Sequence, residues 1–410
     1  MNARPPFRLH ACTPPGTWIN DPNALFHAGG RYQLLAQFCD ETDPRRIGWG
    51  RFTSANLFDW QWEGVAIAAT NDASAYSGSV VAANGGWEAW LTRHRDDPRL
   101  ETQHVAWSAD GIAWDEDPQP RGPQGRNMRD PFVWQAGDGD WRMLVAEPCD
   151  WTKWHEDPPS QLQLWQSPDR RSWRPAGTIE PWHPPGVMWE VPVVVDFGDT
   201  QMLVLSLVDR RGDTTSCATR YWLGRIDNGF ARAPGFPEAG LPLDLGPDFY
   251  AAIPNTPGGW PSEDRVLVAW ASTWEFARAY RWEGDRRGGP ITLPRRLWHQ
   301  SGRVRQAPWG GQPMWSGTLD AHFVLSVRRG DGFATIASDA SGVSVERRGA
   351  PGFDWRRDHP DVVLAEKQQI AVHVDGDLVE VFIAPAGVTV TVAFPCAGDY
   401  TVSSGSTAPA

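Results

Sequence analysis

Through the first 295 residues, apolar positions come in short runs rich in β-branched and aromatic side chains. Gly, Pro or Asp interrupts them every 8 to 12 residues. Gly30–Phe38, Trp141–Glu147, Gln201–Val208 and Arg265–Ser272 are such runs. No stretch carries the 3.6-residue rhythm of a long amphipathic helix. The pattern predicts an all-β chain.

The rhythm also repeats on a longer scale. The segment Ser-x-(Asn/Asp)-x-x-x-Trp recurs at Ser54–Trp60, Ser108–Trp114 and Ser167–Trp173, at steps of 54 and 59 residues. A four-stranded propeller blade needs about 40 to 50 residues, so this period predicts one blade per step with room for long loops. A five-bladed β-propeller is therefore expected over residues 1–297. Residues at a constant distance ahead of the repeat should then gather at one mouth of the central channel. Five segments have that spacing, around Asp21, Ser77, Asp130, Glu190 and Asp248, at steps of 56, 53, 60 and 58. The first three precede their own repeat serine by 33, 31 and 37 residues, which brings distant acidic groups to one site.

A Gly, Pro, Gln and Trp-rich stretch, residues 298–320, breaks the rhythm and is expected to be a linker. Alternating runs follow, with Ile370–Asp375 and Leu378–Ile383 flanking an Asp375-Gly376 turn signal, so a small C-terminal β-sandwich is expected over 321–405. Residues 406–410 are expected to be a disordered tail, the Ser and Thr-rich composition setting in at Ser403.

Composition narrows the partners. A net charge of −12, from 38 Lys and Arg against 50 Asp and Glu, argues against nucleic acid or an anionic membrane and favours a small neutral ligand. No apolar leader core follows the N-terminal arginines, and no run approaches the roughly 18 apolar residues of a membrane span, so a cytoplasmic location is expected. Five scattered cysteines without a CxxC pair predict neither a disulfide framework nor a zinc site. The histidines, His94 and His104 included, lack ligand spacing, so no metal and no cofactor is expected. Oligomeric state has no signal. The 25 tryptophans suit the spaces between packed sheets, with a few available as stacking platforms for sugars. Those in the loops near Trp151, Trp154 and Trp182 are candidates to narrow the channel mouth.

Of the six Asp-Pro pairs, Asp43, Asp97, Asp117 and Asp157 lie in charged or Pro-rich loops and are read as turns. Asp21 and Asp130 instead begin apolar runs. Glu190 stands between Trp189 and Val191. Residue chemistry alone leaves it either an inward carboxylate paired with an arginine or a general acid kept protonated by its setting.

The ordered motifs carry a resemblance. Trp18-Ile19-Asn20-Asp21-Pro22-Asn23 resembles the signature of glycoside hydrolase family 32, the invertases, levanases and inulinases, whose aspartate is the nucleophile. Arg129-Asp130-Pro131 is similar to the family's transition-state-stabilising motif, and Trp189-Glu190-Val191-Pro192 to its acid/base motif. The resemblance continues through Gln37, Trp49-Gly50, Tyr76-Ser77-Gly78-Ser79, Asp248–Ala251, Trp270, Leu293-Pro294-Arg295, Asp375 and Glu380-Val381-Phe382. It implies a retaining β-fructosidase acting on sucrose or short fructo-oligosaccharides. Asp21 would be the nucleophile, Glu190 the acid/base and Asp130 the transition-state stabiliser. Asn20, Gln37, Trp49, Tyr76, Ser77, Arg129, Tyr250 and Trp270 would line the fructose subsite. Val191 departs from the cysteine common beside the acid/base, and Ala24 from a common glycine, which bears on pH dependence and preference rather than on the chemistry. A fructosyltransferase with the same site, a non-catalytic sugar-binding propeller and another propeller glycosidase are the competing readings.

Overall fold

Seven antiparallel sheets and one short helix, α1 (Trp274–Ala279), make up the regular structure among the described residues. The structure is a computed structural model that describes residues 7–83, 85–96, 99–125, 127–149, 159–179, 186–209, 211, 216–280, 288–349 and 352–406. The chain is all-β.

Sheets I to V follow one another along the chain, each a four-stranded meander whose strands pair in sequence order, with an extra two-residue strand on the third strand of sheets II and IV. Their first strands are Thr17–Ala28, Ser74–Ala83, Arg129–Gln135, Val187–Asp196 and Tyr250–Pro254. These five strands touch one another in a closed cycle, I to II to III to IV to V and back to I. The outer strands of each sheet are further from that cycle. Burial extends outward to the next strand: Gln201–Asp209, the second of sheet IV, also contacts the first strand of sheet V and reads as an unbroken buried run rather than an alternating one. Met202, Leu203, Val204 and Leu205 are all fully buried there, each side chain contributing about 1.5–3 kcal/mol by leaving water.

The Ser-x-(Asn/Asp) repeat is the turn from third to fourth strand in sheets I, II and III. In each, the serine Oγ accepts a backbone N–H and the Asn or Asp oxygen accepts two more, as Asn56 does from Phe58 and Asp59, and Asp110 from Ile112 and Ala113. The residue three after each serine (Leu57, Gly111, Arg170) has positive φ, 71°, 75° and 62°. The local side-chain bonds offset that strain and reverse the chain.

Sheets VI (Trp315–Leu319, Gln368–Asp375, Leu378–Ala384, Val388–Ala393) and VII (Phe323–Arg329, Gly332–Asp339, Gly342–Arg348, Trp355–His359, Tyr400–Ser406) close on one apolar cluster that includes Phe323, Leu325, Val372, Val381 and Phe394. A buried polar network joins this part to the first. Arg295, fully buried in sheet V, donates to Asp244 (2.8 Å) and to Glu380 of sheet VI (2.5 Å). His10 bridges Asp375 (2.8 Å) and Glu380 (2.9 Å), and the backbone N–H groups of Arg8, Leu9 and His10 also donate to Asp375.

Two sequence expectations need correction. Most of 298–320 is strand, not linker: Arg295–Gln300 and Arg303–Pro308 complete sheet V, and Trp315–Leu319 joins sheet VI. The Ser301-Gly302 pair that looked like a break is a tight hairpin turn with φ of 52° and 70° at its two residues, a conformation that matches strand twist. The C-terminal Ser403–Ser406 is likewise paired, to Phe323–Ser326 of sheet VII. Backbone pairing, not side-chain composition, orders it. Residues 407–410 lie outside the described residues.

Candidate active site

All five innermost strands carry a register shift at the same place, between Ile19 and Pro22, Tyr76 and Gly78, Arg129 and Phe132, Glu190 and Val193, and Tyr250 and Ile253. A bulge kinks its strand and re-aims the side chains on either side of it. At three of the five, a non-glycine residue takes positive φ: Asp130 (60°), Val191 (48°) and Ala251 (52°). Strain of this kind costs about 1–3 kcal/mol each and persists where surrounding bonds hold it. Here Asp130 N–H donates to Thr92 Oγ1 (3.0 Å), Val191 N–H to Asp130 Oδ2 (2.9 Å) and Ala251 N–H to Ser206 Oγ (2.9 Å).

The bulges bring Asp21, Asp130 and Glu190, from sheets I, III and IV, into mutual electrostatic reach. A relay of hydrogen bonds ends on Asp21: Trp18 Nε1 donates to Asn20 Oδ1 (2.9 Å), Asn20 Nδ2 to Gln37 Oε1 (2.8 Å), Gln37 Nε2 to Ser77 Oγ (2.5 Å), and Ser77 Oγ to Asp21 Oδ2 (2.7 Å). Oδ1 of Asp21 is buried and accepts no bond among the described residues, so one lone-pair face is left for a ligand. Glu190 is 14% exposed, and its Oε2 accepts from Tyr250 Oη at 2.7 Å. Arg129 Nη1 stands 3.6 Å from Glu190 Oε1, while Nη2 donates to the fully buried Glu101 at 2.7 Å. A cavity of about 510 Å³ opens beside Asn20, walled by Trp18, Trp274, Ile47, Glu41 and Arg278. Trp18 and Trp274 lie nearly parallel there, 15° apart with centroids at 6.3 Å.

Burial, and then the charge of Glu190, raise Asp21 to about 7 and Asp130 to about 8, from an ordinary value of 3.8. Burial lifts the Tyr250 phenol far out of the physiological range, so it stays a donor. For Arg129, burial works against the charge but Glu101 and then Glu190 outweigh it and hold the guanidinium protonated. Among the described residues one arginine stands beside these crowded carboxyls, an arrangement that favours keeping a proton on Asp21 or Asp130 near neutral pH.

The expected site residues divide into two groups. Asn20, Asp21, Gln37, Ser77, Arg129, Asp130, Glu190 and Tyr250 are joined by the contacts above. Trp49 and Trp270 are fully buried with their N–H groups given to the carbonyls of Tyr76 and Gly288, and the Trp270 ring lies against those of Trp18 and Tyr250. Tyr76 is half-buried, stacked on His94 at 4.3 Å and 8°. The phase assigned to Asp248 is displaced: its carboxylate turns to Arg347 of sheet VII (2.7 Å), and Tyr250, two residues on, occupies the bulge. Asp43 and Asp117 do serve turns, beside Arg46 and Arg121. Sequence reading missed Glu101, Thr92 and Ser206, whose spacing carries no motif, and gave His94, which is buried against Glu101, no part in the site. Trp151, Trp154, Trp182, Asp97 and Asp157 lie outside the described residues.

The class follows from this geometry and from the family comparison: residues 10–308 match the Glycosyl hydrolases family 32 N-terminal domain, and the chain belongs to that family. Among its relatives, the sucrose-6-phosphate hydrolase of Escherichia coli is 29% identical over 321 residues, and the raffinose invertase of Escherichia coli 28% over 320, each covering 72% of this chain. Both alignments span 63% of the relative, so the chain covers less than two thirds of those proteins' length. The structure of the Bombyx mori GH32 β-fructofuranosidase superposes with a TM-score of 0.76 at 21% identity, over 99% of this chain and 92% of that one. At that identity the likeness is one of fold.

Proposed function

We propose that the chain is a retaining β-fructosidase that releases terminal fructofuranosyl units from sucrose or short fructo-oligosaccharides. The observation that carries this reading is the meeting of three carboxylates from three sheets at strand bulges, with one arginine and one phenol between them. Sucrose-6-phosphate hydrolase, invertase and β-fructofuranosidase are the activities named for its relatives, and they agree with it. The closed cycle of first strands supports a five-bladed propeller formed by sheets I to V, ending near Pro308. The shared apolar cluster supports a β-sandwich formed by sheets VI and VII.

In this reading Glu190 gives its proton to the glycosidic oxygen while the Asp21 carboxylate attacks C2 of fructose, breaking the bond to the leaving sugar. The fructosyl ester that forms is then attacked at C2 by water, whose proton passes to Glu190 as Asp21 departs. Two inversions give net retention, with the two carboxyls about 5–5.5 Å apart. Ser77 orients Asp21, and Tyr250 orients Glu190. Asp130 accepts the fructose hydroxyls, contacts that tighten as the ring flattens toward the oxocarbenium ion. The stacked Trp18 and Trp274 offer the leaving sugar an apolar face.

The test is product analysis with sucrose, sucrose 6-phosphate, kestose, inulin and levan, each at low and high concentration. Fructose release with retained β-configuration at first turnover is expected. Longer oligosaccharides at high sucrose would mean transfer to a sugar acceptor, and intact substrate throughout would leave a binding protein.

A further inference from the structure

The acid/base carboxylate has a cation beside it, but that cation is bonded elsewhere. Arg129 reaches back from the first strand of sheet III to Glu101 on the third strand of sheet II (2.7 Å), and it only neighbours Glu190 at 3.6 Å. Glu101 is fully buried and paired directly across the sheet with His94, whose Nδ1 lies 3.0 Å from Glu101 Oε1. The His94 ring is in turn stacked on Tyr76, over which the Arg129 guanidinium sits at 6.0 Å. The next cross-strand pair, Thr92 and Gln103, bonds the same segment through Asp130 N–H and the Met128 carbonyl. Two consecutive pairs on one face of sheet II, all four side chains buried, thus grip residues 128–130.

We propose that Glu101 is a positioning residue: by holding Arg129 and His94 at once, it aims the guanidinium and sets how much of its charge Glu190 feels. A buried carboxylate that neutralises Arg129, the arginine this cluster has among the described residues, keeps it from acting as a full counter-ion to the acid/base group. Free of Glu101, the guanidinium pairs with Glu190 and stabilises its ionised form, which makes it a poorer proton donor. Among the described residues, the other titratable groups facing Glu190 are Asp21, Asp130 and Tyr250, with Cys217 beside Tyr250.

This inference rests on the β-fructosidase reading, and its experiment separates the two. Wild type, Glu101→Gln, Glu101→Asp and His94→Phe are assayed across pH 4–9 on sucrose and on a fructoside with an acidic leaving group that departs unprotonated. Glu101→Gln is expected to move the alkaline limb of kcat on sucrose down by about one pH unit. It should leave that limb in place on the activated fructoside. His94→Phe keeps the ring on Tyr76 but loses the bond to Glu101, so a smaller shift in the same direction is expected. A folded Glu101→Gln with an unmoved limb, or the same shift on both substrates, overturns the proposal. If Glu101→Gln does not fold, Glu101→Asp decides: its carboxylate, drawn back by one methylene, should still lower the limb, and an unmoved limb overturns the idea. Absence of fructose release by wild type would instead overturn the β-fructosidase reading.

Discussion

Two buried clusters of charge in this molecule use the same residue types and behave in opposite ways. At the junction of the two parts, Asp244, Asp375 and Glu380 meet Arg295 and His10, and backbone N–H groups of Arg8, Leu9, Leu293 and Thr391 fill their remaining lone pairs. Burial alone would raise Glu380, but Arg295 and His10 outweigh it and bring the carboxyl down to about 2. In the candidate active site, Glu101, Glu190 and Asp130 share Arg129, Asp21 makes no ion pair among the described residues, and burial drives Asp21 and Asp130 up to about 7 and 8. Burial is common to both. What differs is whether enough donors and cations accompany the carboxylates, and where they are few, burial and mutual repulsion hold Asp21 and Asp130 above the ordinary carboxylate range.

Substitution should expose the contrast most sharply at Asp21. Asp21→Asn is expected to reduce kcat on sucrose by several orders of magnitude while the protein stays folded, because the amide removes the nucleophile and relieves a crowded charge. Activity within tenfold of wild type would remove Asp21 from that role. Asp130→Asn should lower kcat by about 10² or more with a much smaller rise in KM, since its contact strengthens in the transition state. A change confined to KM would make Asp130 a ground-state binding residue.

The junction should respond in the other currency. Glu380→Gln leaves Arg295 and His10 without their shared anion, and removal of one partner of a buried pair costs about 3–5 kcal/mol. A clear fall in unfolding temperature is expected, with the kcat of whatever remains folded close to wild type. Loss of activity without loss of stability would mean the junction shapes the site directly.

The smallest effect is on the pH dependence of stability. Asp21 and Asp130, raised in the folded state, favour their protonated forms, so their contribution is greatest below about pH 4 and is lost as pH rises through 7 and 8. Burial opposes the charge on His10, but Asp375 and Glu380 raise it to about 9, so its contribution is full below about 6.5 and lost through 9. Glu380, lowered, contributes fully above about 4.5 and loses that as pH falls toward 2. Unfolding temperature should therefore fall from pH 6 to 9. Asp130→Asn should flatten that fall up to about pH 8, and His10→Asn should flatten it above 6.5 from a lower starting point. Parallel curves for wild type and Asp130→Asn would show that Asp130 ionises freely.

The sequence by itself determined the all-β class, the recurring strand-and-turn unit and the segments that supply Asp21, Ser77, Asp130 and Glu190, because each depends on local pattern. A Ser-x-Asp turn, an Asp-Pro at a strand start and a period near 57 are written in neighbouring residues. It misplaced 298–320 because Ser301-Gly302 reads as a loop until the flanking strands are seen to pair. It set the phase of the fifth segment at Asp248, two residues ahead of the bulge at Tyr250, because a period read from sequence is good to a residue or two. Only the tertiary structure decided which side chains flank each bulge, that the Trp49 and Trp270 N–H groups are given to the carbonyls of Tyr76 and Gly288, and that Arg129 is held by Glu101 from another sheet. Those facts depend on how five sheets stand against one another. Contacts between strands 28 to 61 residues apart are set by packing and charge balance across sheets, which no local stretch of sequence records.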